Sequence, residues 1–273
     1  VAVNAQDDSG IEILKGFGKQ VKLLRERAGL KQAELGKKLG YSEDLVSSVE
    51  QGRRVAQPEF IDKADEVLNA GGMLLVLKRS VASARFPEFF RDYVRLEAEA
   101  VELYTYDSLV MNGLLQTEGY ARAVFATGRP LMDEETIEQR VAARLARQEI
   151  FTRRPAPLLG FVIEEVVLRR PIGGKEVLRG QLKRLLEVGQ LRNVEIQVMP
   201  TDREDHAGMD GPFHLITPKG RQQVVYMEGQ GRSTIVTDVE EVRAIASRYG
   251  IIRAQALTPR ESLAYIEKSL GEL

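Results

Sequence analysis

From Phe17 to Leu68 the chain is cut into short apolar-periodic pieces by glycine, serine and proline at regular intervals. That pattern admits little besides a small bundle of helices. Phe17, Val21, Leu24 and Ala28 recur at spacings of four, three and four, which predicts a first helix closed by Gly29. A second helix is expected over Gln32–Leu39, with Leu35 and Leu39 turned inward. Gly36 sits inside it although glycine costs about 1 kcal/mol relative to alanine there, so a close approach by the third helix is implied. Gly40 ends the second helix, and Ser42 stands where its hydroxyl caps the third by accepting a backbone N–H. The third helix, Glu43–Gln51, buries Val49 with Leu45 or Val46 and leaves a short polar face of Asp44, Ser47, Ser48 and Gln51. Gly52 stops it. Pro58 opens a fourth helix whose core residues are Phe60, Ile61, Ala64, Val67 and Leu68.

Two helices joined at the tight Gly40-Tyr41-Ser42 turn, the later one polar on its outer face, form a helix-turn-helix suited to a DNA major groove. The net charge of −1 gives no general attraction for nucleic acid. It is unevenly spread, however: Ile11–Ser80 holds 13 Lys/Arg against 10 Asp/Glu, and a local excess can serve phosphates if it lies on one face. The segment LKQAELGKKLGYSEDLVSSVEQGRR resembles the XRE, phage-repressor-like class of helix-turn-helix. That resemblance implies a DNA phosphate contact for Gln32 and base contacts for Ser42, Glu43, Asp44, Ser47 and Ser48. It implies DNA-backbone contacts for Gly52, Arg53 and Arg54, and a structural pair, Arg25 with Glu50, between helices one and three. Many relatives carry neutral or basic residues at the positions of Glu43 and Asp44. A carboxylate can accept from cytosine N4 but repels phosphate, and it also suits the positive end of a helix dipole.

The expected division is a flexible tail over 1–10, the helix-turn-helix domain over 11–70, a connector over 71–85 and a regulatory domain over 86–273. Pro87–Ala126 reads as helical, with a turn at Asn112-Gly113, and Ile137–Ile150 as an amphipathic helix. Its Arg140, Arg144 and Arg147 form a stripe expected to lie at a solvated or partner-contacting surface. After Pro155 the period changes. Leu158–Glu165, Val194–Pro200, FHLIT and QVVYME read as strands, Lys175–Val188 as a helix, and Val239–Tyr249 and Pro259–Leu270 as closing helices. The fold class expected is therefore mainly α with an α/β or α+β C-terminal part: a helical bundle, a helical region and a small mixed sheet. FPEFFRDYVRLEAEAVELYTYDSLVMNGLLQTEGYARAVF, VIEEVVLRRPIGG and IQVMP resemble the C-terminal domain of actinobacterial WhiJ-like, antitoxin-like regulators. Asn112-Gly113 replaces the Pro-Gly common among them, and still favours a turn. The resemblance implies a transcription regulator whose larger domain binds a small companion protein or dimerises, with ligand sensing as the alternative. Its partners would be operator DNA near its own or developmental genes and a second copy of the chain.

The absence of cysteine excludes disulfides and thiolate chemistry and fits a cytoplasmic protein. The first ten residues lack a signal-peptide pattern, and Met73–Leu77 is too short to span a bilayer. His206 and His214 lie among Asp202, Glu204, Asp205 and Asp210, but their spacing matches no compact metal motif. Glu164-Glu165 reads as a pair at a helix start, and Gly173-Gly174-Lys175 as a turn lacking the rest of a phosphate loop. No Gly-x-Ser-x-Gly elbow occurs. The expectation is no catalytic residue, no metal and no cofactor.

Overall fold

The computed structural model describes residues 8–84, 86, 88–129 and 131–273. It divides into two compact units, Val1–Arg91 and Asp92–Leu273. The first holds α1 (Asp8–Arg27), α2 (Gln32–Leu39), α3 (Glu43–Glu50), α4 (Pro58–Val67) and α5 (Lys78–Ser83), with a 3-10 turn at Leu75–Leu77. Phe17, Val21, Leu35, Leu39, Val46, Val49, Phe60, Ile61 and Ala64 form one buried core. Val46 takes the position that the sequence left open between it and Leu45, which packs at the rim.

Three features of this unit differ from the sequence reading. Helix α1 begins at Asp8, so residues 8–10 are helical; residues 1–7 of the expected tail lie outside the described residues. The extension adds Leu14, one turn before Phe17, to the buried face. At the other end α1 stops at Arg27 and Ala28 is exposed, while Leu30 packs against the core instead. The stretch expected as connector carries the 3-10 turn and α5, and its Leu74 and Val81 are fully buried in the same core. Asp65 holds that corner by accepting the backbone N–H groups of Gly72 and Leu74 at 2.8 and 2.9 Å.

The second unit is built on α6 (Glu88–Glu99, from Asp92 on) and a six-stranded sheet. Its strands are β1 (Ala100–Asp107), β2 (Leu158–Glu164), β3 (Val194–Met199), β4 (Phe213–Pro218), β5 (Val224–Gly229) and β6 (Arg232–Val236), in the order β3-β2-β1-β4-β5-β6. β1, β2 and β3 are parallel; β4, β5 and β6 continue antiparallel from β1. The crossovers carry α7 (Glu118–Ala126), α8 (Glu134–Ala146), α9 (Glu165–Arg169) and α10 (Lys175–Val188), and α11 (Val239–Gln255) and α12 (Pro259–Gly271) close the chain. Tyr106, Val162, Phe213, Leu215 and Val225 on one sheet face pack with Tyr249 and Ile252 of α11. The fold class expected from sequence is the one observed.

Two strands escaped the sequence reading. The helical pattern expected over 87–126 is interrupted by β1; its first position, Pro87, lies outside the described residues. β1 is the central strand, paired on both edges, and its Val-Glu-Leu-Tyr-Thr-Tyr run suits a pleated surface despite the helix-like spacing of its apolar residues. β6 pairs with β5 through Gln230-Gly231, both at positive φ (51° and 72°), the geometry of a two-residue hairpin turn.

Candidate nucleic-acid interface

The presentation of α3 rests on tight backbone contacts. A β-carbon at Gly36 would stand 2.7 Å from the Tyr41 carbonyl oxygen, so the glycine lets the turn before α3 close onto α2. Gly40 takes the left-handed conformation (φ 83°), and the Ser42 hydroxyl accepts the Leu45 N–H at 3.3 Å. At the far end Gly52 is also left-handed (φ 69°), and the Arg53 and Arg54 N–H groups fold back onto the Ser48 carbonyl at 2.9 and 3.2 Å. The loop bearing both arginines is thereby fixed to the helix.

A buried ion pair holds the helix from beneath. Arg25 Nε and Nη2 donate to Glu50 Oε1 and Oε2 at 2.5 and 2.9 Å, with side chains 9% and 1% exposed. Arg25 Nη1 donates to the Leu30 carbonyl at 2.8 Å. The Glu50 hydrogen bond raises the Arg25 pKa, against the opposing pull of burial. Gln32 joins the same cluster, its Nε2 donating to Glu50 Oε2 at 2.7 Å. The side-chain amide attributed to a phosphate by resemblance is thus directed at Glu50 in the free protein.

Ser42, Glu43, Asp44, Arg53 and Arg54 are exposed, and Ser47, Ser48 and Gly52 are half-buried. Asp44, Ser47, Ser48 and Gln51 share one side of α3 at helical spacing, and Gln51 Nε2 donates to Ser47 Oγ at 2.8 Å. Glu43 and Asp44 lie in the first turn, where a helix N-terminus favours carboxylates.

In the second unit the two histidines occupy separate, partly buried networks. His206 Nδ1 accepts the Gly208 N–H at 2.8 Å, so in the neutral ring the proton sits on Nε2, directed at Glu164 Oε1 2.6 Å away. The Tyr106 hydroxyl donates to the same oxygen at 2.8 Å, and burial followed by the Glu164 contact raises its pKa well above the usual phenol value. Glu164, at the helix start that the sequence reading gave it, is therefore also the acceptor of this network. Glu165 accepts from Thr201 N and Oγ1, both at 3.0 Å, joining the ends of β2 and β3. His214 Nδ1 lies 2.9 Å from the Tyr93 hydroxyl, and its Nε2 lies 3.8 Å from Asp107. Among the described residues no group of three or more His, Asp or Glu side chains could hold a metal ion. A β-carbon at Gly208 would overlap the Tyr106 hydroxyl and lie 2.6 Å from the His206 ring. Gly208→Ala is expected to destabilise the unit by roughly 1–3 kcal/mol, read as a lower thermal midpoint with loss of the ordered His206 ring signal in proton NMR.

The arginine stripe of α8 departs from its expected solvated setting. Arg147 donates from Nε and Nη2 to both Glu97 oxygens at 2.7 Å, with side chains 7% and 3% exposed. Arg144 Nη1 donates to Gln116 Oε1 at 2.7 Å, and its guanidinium lies 4.1 Å from the centre of the Phe125 ring. Local spacing carries no signal for these sites, because Glu97 and Gln116 stand 50 and 28 residues from their partners.

No helix among the described residues is long and apolar enough to cross a membrane. Residues 17–75 match the family described as Helix-turn-helix domain, which supports an XRE-like, DNA-binding regulator in preference to an enzyme. No curated protein and no solved structure matches the chain. Residues 90–268 match the family described as Domain of unknown function (DUF5753), and since that span exceeds half its length, the chain belongs to this family.

Proposed function

We propose that this chain is a sequence-specific transcription regulator of the WhiJ-like, antitoxin-like kind, which binds operator DNA as a homodimer in the cytoplasm. The observation carrying this reading is the exposed polar side of α3, set between the Ser42 cap and the fixed Arg53-Arg54 loop. Ser42, Glu43, Asp44, Ser47 and Ser48 are its base-reading candidates; Gln32, Gly52, Arg53 and Arg54 are its phosphate contacts. The division of labour is a DNA-binding head, whose core takes in Leu74 and Val81 from the stretch expected as a connector, followed by a regulatory domain. A dimer would set its recognition helices on half-sites about 10 bp apart or a multiple of that. By the resemblance, the larger domain binds a small companion protein or forms the dimer.

Fluorescence anisotropy with DNA from the protein's own promoter, against scrambled competitor and across a salt series, tests the reading. Arg53→Ala with Arg54→Ala should weaken binding to every sequence and flatten the log–log salt slope by about 2. Ser48→Ala or Asp44→Ala should instead change the preferred bases, by roughly 1–3 kcal/mol at the affected position. Binding that follows salt and ignores sequence in the intact protein removes the operator-reading claim. A monomer by ultracentrifugation that still holds one half-site specifically removes the dimer. The alternative, a domain that senses a small molecule, is favoured by one observation: Arg144 of the second unit makes no ion pair among the described residues.

A further inference from the structure

An open sheet ends in two strands, each with a row of backbone N–H and C=O groups that β pairing does not use. Here the two ends differ. The β3 edge is closed by the chain itself: the Val198 N–H donates to Ser262 Oγ and the Val198 carbonyl accepts the Leu257 N–H, both at 2.9 Å. Gln197 Nε2 ties the same strand to the Arg253 and Leu257 carbonyls at 3.2 and 2.9 Å. At the other end β6 is paired by β5 on one side. Among the described residues no hydrogen bond from outside the sheet reaches the backbone of Ile235 or Thr237.

The hairpin geometry decides which groups point outward. In a two-residue hairpin the flanking residues, Gly229 and Arg232, exchange hydrogen bonds, and such pairs alternate along the ladder. Thr234 with Met227 and Val236 with Val225 therefore face β5, and the N–H and C=O of Ile235 are directed away from it. The usual devices that blunt an edge are missing, since β6 contains no proline, no lysine and one charge, Arg232.

The strand also complements itself. An antiparallel second β6 centred on Ile235 opposes Ile235 to Ile235, Thr234 to Val236 and Arg232 to Asp238. The strand's one cation thus meets a carboxylate, twice per dimer by symmetry. Centring the pair on Ser233 or Thr234 would instead set Arg232 against Thr234 or Val236. Arg232 is exposed and makes no ion pair among the described residues. Asp238 caps α11 through Oδ1, accepting the Glu240 and Glu241 N–H groups at 3.1 and 3.0 Å, which leaves Oδ2 to accept from a partner. Val239, 56% exposed at the start of α11, adds apolar surface beside the same strand.

We propose that β6 pairs with β6 of a second copy in the antiparallel register centred on Ile235, joining two six-stranded sheets into one. The surface rests on the homodimer proposed above and gives it a location and a register. A five-residue strand on each side is a small contact, below the roughly 1,000 Å² of a self-sufficient interface. The pairing is therefore weak in free solution and strengthened when two heads occupy adjacent half-sites.

Ile235→Cys in the full-length chain tests the register. The protein has no other cysteine, and a hydrogen-bonded pair on the two-fold axis sets its Cα atoms about 5.5 Å apart, within disulfide reach. Mild oxidation should give a covalent dimer on a non-reducing gel. Lys268→Cys, exposed on α12 beside the opposite edge, should not. Arg232→Glu sets a carboxylate against Asp238 and leaves the β5 ladder in place. It should raise the dimer dissociation constant by about tenfold in sedimentation equilibrium. Arg243→Glu, the same charge change on the exposed side of α11, should leave that constant unchanged. Arg232→Glu, at an exposed position, decides alone if Ile235→Cys fails to fold. In a wild-type dimer, a folded Ile235→Cys that does not cross-link, or an Arg232→Glu without effect, overturns the pairing and leaves the homodimer standing. A monomer at every concentration, with and without promoter DNA, removes both.

Discussion

Glu50→Ala is expected to cost the head about 3–5 kcal/mol, most of the stability a unit of this size possesses. The substitution does more than remove a hydrogen bond. It strands the Arg25 guanidinium in a site where its side chain is 9% exposed and removes the acceptor of Gln32 as well. The same carboxylate holds α3 to α1 and to the start of α2, so its loss should loosen the presentation of α3 before the core itself opens. Hydrogen exchange on the full chain should show faster exchange across residues 8–84 with little change in the sheet of the second unit. A double replacement, Arg25→Met with Glu50→Leu, should recover much of the loss, because a buried ion pair and an apolar pair of similar volume are often comparable in stability. Equal destabilisation by the single and double changes would mean that the pair's geometry, beyond its charge balance, holds the bundle together.

Glu97→Ala should act on the second unit with similar force. Burial by itself lowers the Arg147 pKa, and the Glu97 charge and hydrogen bonds outweigh that effect and raise it. Without Glu97, Arg147 is left beside Arg144 and against the Tyr93 ring, whose centroid is 5.5 Å away. A loss of about 3–5 kcal/mol corresponds to roughly 6–20 °C in the melting midpoint of a domain this long. Arg147→Met should cost less, since it leaves a carboxylate in place of a guanidinium beside the cationic Arg144. Calorimetry of the two variants decides the order. Should Arg147→Met prove the more damaging, the dominant role of Arg147 is packing against Tyr93 with charge balance secondary.

The helix-turn-helix was legible because its information is local. Gly36, Gly40, Ser42 and Gly52 act within a few residues of themselves, through positive φ, a side-chain cap and a close approach, and the apolar spacing marks which face is buried. β2, β3, β4, β5 and α10 were legible for the same reason, each being a continuous apolar run or a periodic helix. β1 was not. Its residues read as either period, and its place at the centre of the sheet comes from pairing with strands that begin 58 and 113 residues further on. Nor could the sequence distinguish Arg144 and Arg147 from an ordinary solvated helix stripe. Helical periodicity gives the side on which a residue stands, while the element that covers that side is set by the tertiary fold. The sequence by itself determined the head, its capped α3 and the change to mixed α and β structure after Pro155. Only the tertiary structure decided that Gln32 turns to Glu50, that His206 and His214 meet different carboxylates, and that Arg147 meets a carboxylate where Arg144 meets an amide. Those outcomes depend on groups brought within 4 Å from distant parts of the chain, and local spacing carries no record of such contacts.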